Sequence, residues 1–220
     1  MRIKWLGHAC FKLDFGGLKV ITDPYDETVG YSLPLGDADL VTVSHDHFDH
    51  NHVAGVSGSP EVLSGPGSKE ARILAKADLK VTGFPSFHDA EGGKRRGSNT
   101  IFRFQAPDLT LVHLGDLGHL PGQELVSELA GADVLLIPVG GTFTLDAAGA
   151  EQTVNLLKPK VVIPMHYKTD ALKFDLAGVD DFARRFSNVK DIGEAEITLE
   201  AKNLPETGAT LVYILDYARK

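Results

Sequence analysis

Apolar and polar positions along the chain fall into two kinds of run. Over residues 1–22 they alternate, and a period of two places successive side chains on opposite faces of a strand. Phe11-Lys12-Leu13-Asp14-Phe15 reads as a strand ending at Gly16-Gly17, with residues 18–22 as its return partner. Asp23-Pro24 stops that partner, because proline cannot continue a ladder. Residues 40–43, 132–139 and 159–164 are instead apolar almost throughout, the pattern of strands buried on both faces. Residues 81–84, 99–104 and 109–114 read as further strands, the last two paired across Ala106-Pro107-Asp108, and residues 196–200 and 210–215 as closing strands. Helical spacing predicts short helices over 121–131, 146–157 and 179–186. The turn Ser64-Gly65-Pro66-Gly67-Ser68 predicts another over 69–77, capped by Ser68. No linker or repeat divides this mixture of strands and helices, so residues 1–220 are expected to form a single α/β domain.

The strand at 40–43 runs directly into Ser44-His45-Asp46-His47-Phe48-Asp49-His50, where three imidazoles and two carboxylates occupy six consecutive positions. Imidazole and carboxylate are ligands for borderline divalent ions, with zinc the default and manganese, iron, nickel or cobalt as alternatives. In an extended segment His45 and His47 face one way and Asp46 the other. A turn at Phe48 then lets Asp49 and His50 face a second ion beside the first. The bland alternative is a solvated, histidine-rich loop, but such loops seldom follow a buried strand so closely.

Residues 89–98 hold the other concentration of charge, Lys94-Arg95-Arg96 between glycines. It reads either as a site for an anionic group, for which the planar guanidinium fork is suited, or as a solvated hairpin loop. The formal net charge of −8 weighs against nucleic acid and anionic membranes as partners. No apolar run approaches the ~20 residues of a membrane span, and Ile3-Lys4-Trp5-Leu6 reads as a strand rather than a leader. Cys10, the one cysteine, is expected as a small buried strand residue, which fits a reducing cytoplasm. The expected partner is a small-molecule substrate, and assembly into a homo-oligomer is left open.

The H-x-H-x-D-H pattern stands with Trp5-Leu6-Gly7-His8-Ala9, Thr22-Asp23-Pro24, Gly115-Asp116-Leu117-Gly118-His119 and Met165-His166-Tyr167. Together they resemble the metallo-β-lactamase-fold superfamily of metal-dependent hydrolases, and within it the small branch that includes the L-ascorbate-6-phosphate lactonases. The resemblance runs along essentially the whole chain and implies a four-layer αββα sandwich. It implies that His88 joins His45 and His47 around a first ion, that Asp49, His50 and His166 surround a second, and that Asp116 lies between them. It also implies that His8 and Asp23 face the cleft, Asp23 supporting a ligand histidine and His8 serving either as support, as a structural residue or directly. His113, on its strand, is expected to be a satisfied core histidine or one that supports a ligand. Asp49 is expected to act as a catalytic carboxylate as well as a ligand, and His119 as a proton donor or substrate contact. Tyr167 and Lys168 are expected to polarise a substrate oxygen or bind an anion, residues 25–39 with Tyr25 and Tyr31 to form a flap over the cleft, and His52 to be spare or to support a ligand.

Two ions so placed acidify a shared water, whose pKa can fall toward ~7 on zinc. The expected reaction is hydrolysis of an ester, lactone or phosphodiester bond. Two dications outweigh Asp49, Asp116 and one hydroxide by a single charge, so the cleft is expected to be locally cationic and the substrate anionic. The alternatives are a nuclease or cyclic-nucleotide phosphodiesterase of the same fold, and a metal-binding regulatory protein without turnover.

Overall fold

The amino-terminal alternation becomes three antiparallel strands, β1 (Arg2–Gly7), β2 (Cys10–Asp14) and β3 (Lys19–Thr22), in a computed structural model that describes residues 1–32, 34–65, 71–206 and 208–219. The pleat sorts their side chains as the period requires. Ile3, Trp5, Phe11, Leu13 and Val20 enter the main core, while Leu6, Cys10 and Ile21 enter a second cluster on the opposite face. Parallel to β3 run β4 (Leu40–Val43) and then β5 (Glu61–Ser64). β4 is buried at every position because both of its faces are covered, Leu40 by the main core and Val41 and Val43 by the second cluster.

The second sheet opens as an antiparallel meander of β6 (Ala71–Leu74), β7 (Leu79–Phe87), β8 (Ser98–Gln105) and β9 (Thr110–His113). After α1 (Gln123–Leu129) the pairing turns parallel, with β10 (Val134–Pro138), α2 (Ala147–Leu157) and β11 (Val161–Met165) forming a strand–helix–strand crossover. The chain finishes through α3 (Asp180–Ala183), β12 (Val189–Asp191), β13 (Glu196–Thr198) and β14 (Leu211–Ile214). β13 returns to the edge of the first sheet beside β1, and the second sheet has the order β12-β14-β11-β10-β9-β8-β7-β6. The two mixed sheets share one core, in which Trp5 and Phe11 belong to the same cluster as Phe104, Leu111, Val134 and Val161. Helix α2 is capped by the Asp146 carboxylate, which accepts from Gly149 N–H, and adds Ala150, Val154 and Leu157 to that core.

Three expectations change. Residues 71–77 form β6 and a short 3-10 turn instead of a helix, because Ala71–Leu74 finds an antiparallel partner in β7 and pairing outweighs weak helical propensity. Residues 66–70, with the expected Ser68 cap, lie outside the described residues. The helix expected over 179–186 shortens to the single turn α3. The segment 25–39 turns inward rather than forming a flap: Tyr25 donates its hydroxyl to Leu6 O at 2.6 Å, Tyr31 Oη lies 2.8 Å from Thr169 Oγ1, and both rings are buried in the second cluster. Loops and 3-10 turns, not a long helix, thus form the outer layer on the first sheet. Among the described residues no helix is long and apolar enough to cross a membrane.

Candidate metal centre

Five strand ends deliver one polar cluster. The turn after β1 carries His8, the loop after β4 carries His45 to His50, and β7, β9 and β11 lead to His88, Asp116 and His166. Backbone bonds tie the sheets together at this edge, Thr100 N–H donating to Ser44 O at 2.8 Å and His166 N–H to His8 O at 3.2 Å. Behind the loop lies Asp23, fully buried at the end of β3. One of its oxygens accepts Ser44 N–H at 2.7 Å; the other accepts the Ser44 hydroxyl at 2.6 Å and His50 Nδ1–H at 3.0 Å. Ser44 Oγ also lies 2.9 Å from His45 Nδ1. The hydroxyl has one proton and gives it to the carboxylate, so here the His45 Nδ1–H is the donor. Asp23 and Ser44 together therefore aim the Nε2 atoms of His45 and His50 into the cleft, where both are buried with no hydrogen-bond partner among the described residues.

In the cleft the donor atoms of His45, His47 and His88 form one group and those of His8, Asp49, His50 and His166 another, each group lying within 4.8 Å. Asp116 joins the two. Its Oδ2 is 3.1 Å from His88 Nε2, 3.1 Å from His166 Nε2, 3.3 Å from His50 Nε2 and 3.9 Å from His45 Nε2. Asn99 holds it in place: Asn99 Oδ1 accepts Asp116 N–H at 2.9 Å, while the side-chain amide donates to Leu114 O and Ser86 Oγ. Gly115 is required here, since its φ is 55° and a Cβ would stand 2.4 Å from Asn99 Oδ1.

Burial dominates the electrostatics. It pushes the His8 and His45 imidazoles down to about 3, with His166 and His50 respectively adding to the effect, so both are neutral at neutral pH. For Asp116 burial works upward, but His166 and His50 outweigh it and hold the carboxyl well below its ordinary range. For His50 burial works downward, and Asp116 with Asp23 overcomes it and lifts the group well above its ordinary value. The carboxylates thus call for positive charge at this point, either a proton on His50 or a cation beside it.

The remaining expected residues lie elsewhere or serve the backbone. His113 pins the two sheets: its Nε2–H donates to Ala9 O at 2.9 Å and its Nδ1 accepts Gly115 N–H at 3.1 Å. His119 does not join the cluster, because its Nε2 accepts Phe87 N–H at 3.2 Å and its Nδ1–H donates to Leu120 O at 2.9 Å. With both nitrogens so used, it is not placed as the expected proton donor. Tyr167 is not placed for substrate either. The left-handed turn at His166, φ 52°, breaks the alternation, and Tyr167 packs 5.1 Å from Trp5 with its hydroxyl reaching Leu215 O at 3.4 Å. Lys168 donates to Leu172 O at 2.6 Å and Phe174 O at 2.8 Å, fastening that loop rather than awaiting an anion.

Lys94, Arg95 and Arg96 lie in an exposed loop built around Asp89, whose carboxylate accepts the N–H groups of Glu91, Gly93, Arg95 and Arg96 at 2.8, 2.9, 2.9 and 2.8 Å. Arg95 pairs with Glu91 at 2.7 Å, and the Arg96 guanidinium lies 4.1 Å above the Phe143 ring. His52 begins a 3-10 turn outside both donor groups. Sequence reasoning missed an aromatic rim: exposed Phe48 stands edge-on to Phe174 at 6.1 Å, and Phe174 packs edge-on to His8 at 5.5 Å. Nothing in the irregular pattern around residue 174 signals that contact.

Residues 2–166 match the family model of a β-lactamase superfamily domain. The chain is 33% identical over 199 residues to a UPF0173 metal-dependent hydrolase of Pyrobaculum islandicum, covering 77% of this chain and 85% of the relative. It is 31% identical over 201 residues to a UPF0173 metal-dependent hydrolase of Pyrococcus abyssi, with 77% and 85% covered. Among solved structures it is 37% identical to a Thermotoga maritima protein assigned as a Zn-dependent hydrolase of the metallo-β-lactamase superfamily, with a TM-score of 0.78 over 98% of this chain and 99% of that one.

Proposed function

The chain belongs to the β-lactamase domain superfamily and is a metal-dependent hydrolase of the metallo-β-lactamase fold, and from that premise we propose that it holds two divalent ions, zinc by preference, and cleaves an ester, lactone or phosphodiester bond in a small anionic substrate. The observation that carries this reading is the convergence of His45, His47, His88, Asp49, His50 and His166 around the single carboxylate of Asp116. The residues fit such ions. His45 Nε2, His50 Nε2 and Asp116 Oδ1 are buried without a hydrogen-bond partner among the described residues, which costs about 1–3 kcal/mol for each atom unless a ligand takes it up. His45, His47 and His88 would hold one ion and Asp49, His50 and His166 the other, with Asp116 between them. Imidazoles and carboxylates without a thiolate suit zinc first and manganese, iron or nickel after it, and the assignment of the Thermotoga relative as Zn-dependent supports that order. Bound there, the ions supply Lewis acidity and bring the pKa of a water toward ~7.

The chain's own residues prepare the site. Asp23 and Ser44 orient two imidazoles in advance, and Asn99 fixes the ionised Asp116, so binding requires little reorganisation. Arg95 is engaged by Glu91, which leaves Lys94 and Arg96, the latter seated on Phe143, as the members of the basic loop that would meet a phosphate or carboxylate. The net charge of −8 favours small anions over long polynucleotides. The test is metal analysis of the purified chain together with a hydrolysis screen of esters, lactones and phosphodiesters, each in anionic and neutral form. The expected result is two ions per chain and chelator-sensitive turnover of the anionic forms. A chain that binds no ion, or cleaves neutral and anionic forms equally, overturns the reading.

A further inference from the structure

His8-Ala9 forms the turn between β1 and β2, and His8 takes φ 53°, a left-handed conformation that costs a residue with a Cβ about 1–2 kcal/mol. The surroundings enforce it. His8 O accepts both Trp5 Nε1–H at 2.9 Å and His166 N–H at 3.2 Å, and a Cβ on Gly7 would stand 2.7 Å from the Tyr31 ring. Backbone strain held this firmly commonly serves one side chain. The His8 ring is fully buried, 4.1 Å from the ring of His166 and 5.1 Å from that of His50. Its Nε2 lies 3.2 Å from Asp49 Oδ2, which in turn lies 3.6 Å from His50 Nε2.

The spacings are those of donors around a common ion. At 3.2 Å the contact between His8 and the Asp49 carboxylate is at the long end for a neutral imidazole N–H. Neighbouring donors on one five-coordinate ion, with bonds of about 2.0–2.2 Å, stand about 2.8–3.8 Å apart, and the 3.2 and 3.6 Å separations fall in that range. The Nδ1 of His8 and the Nε2 of His50 are also buried with no hydrogen-bond partner among the described residues.

We infer that His8 is an eighth metal donor, bound through Nε2 to the ion that Asp49, His50 and His166 hold. The inference rests on the two-ion reading above and extends its set of donors. It makes the pair of positions unequal. The second has four donors of its own besides Asp116 and the first has three, so the second fills first when metal is scarce.

The experiment uses the full chain labelled with [15N]histidine and loaded with 113Cd, reading one-bond 113Cd–15N couplings. At saturation six of the nine histidines should couple: His8, His45, His47, His50, His88 and His166. A His8→Asn variant, whose side chain tolerates the left-handed turn, should lose one coupling. Its second-position cadmium affinity should fall beyond the ~10–100-fold that follows loss of a residue merely hydrogen-bonded to a ligand. Five couplings, with His8→Asn unchanged in cadmium titration, overturn the role of His8 alone and leave the two-ion reading standing. Absence of coupling at the other five histidines as well overturns both. The count in the unaltered chain decides the matter even where the variant fails to fold.

Discussion

The imidazoles of the proposed centre are fixed in two different ways. His45 and His50 come from one loop and are held from behind by hydrogen bonds, His50 directly by Asp23 and His45 through Ser44. His88 and His166 arrive from separate strands, and their Nδ1 atoms have no hydrogen-bond partner among the described residues. Close backbone packing holds them instead. A Cβ on Gly118 would stand 2.4 Å from the His88 carbonyl carbon, and one on Gly140 would stand 2.3 Å from His166 O. A hydrogen bond selects both the orientation of a ring and the nitrogen that carries its proton, whereas packing selects position alone. Breaking the first kind of support should change the chemistry of a ligand inside an intact fold. Breaking the second should move a ligand and destabilise the chain.

The largest effect is expected from Asp23→Asn. The replacement preserves volume but presents an N–H to the Ser44 hydroxyl and to His50 Nδ1–H, where an oxygen now accepts both. His50 can relieve that clash by carrying its proton on Nε2, the nitrogen facing Asp116. The second position should then bind metal about 100-fold more weakly, with far-UV circular dichroism unchanged and turnover falling with metal content. Two ions retained after equilibrium dialysis would show that the hydrogen bonds do not set the ligand state. Next comes Gly140→Ala, whose methyl meets the backbone of His166 rather than a mobile side-chain end. Overpacking of this kind costs about 1–3 kcal/mol, about 2–4 °C in Tm for each kcal/mol in a chain of this size, and the metal loss should be confined to the second position. A melting temperature equal to that of the unaltered chain would remove packing as the support of His166.

The same division explains what could be read from the sequence. The loop at 44–50 was legible because its donors are contiguous and follow a strand whose burial is visible in Leu40-Val41-Thr42-Val43. Strands also emerged wherever period or apolar length was unambiguous. His88, Asp116 and His166 needed the family resemblance, since each is one residue at one strand end, and the structure brings all three to the cluster. The left-handed turn at His166 sends Tyr167 into the core, and nothing in Met165-His166-Tyr167 announces a positive φ there. Lys168 and His119 bond to backbone groups of Leu172, Phe174, Leu120 and Phe87, contacts that no local pattern announces. Read alone, the β6 segment has helical character, because only its partner β7 makes it a strand.

Smaller effects sharpen the comparison. Ser44→Ala removes the link from Asp23 to His45 but leaves Asp23 bonded to His50, so metal affinity should fall about 10-fold at the first position and stay unchanged at the second. Equal losses at both positions would mean that the two rings are not separately supported. The smallest effect is expected at His119. Its two nitrogens are committed to Phe87 N–H and Leu120 O, so it steadies the turn after Asp116 without facing the donors. His119→Gln should keep full metal content and a kcat within about twofold of the unaltered chain, with the pH–rate profile unshifted, because no proton passes through the residue. A tenfold fall in kcat at full metal occupancy, with one limb of that profile displaced, would return His119 to the reaction. It would then mean that a backbone-bound imidazole at this edge can break its contacts during turnover, and the line between supporting and reacting residues would have to be redrawn there.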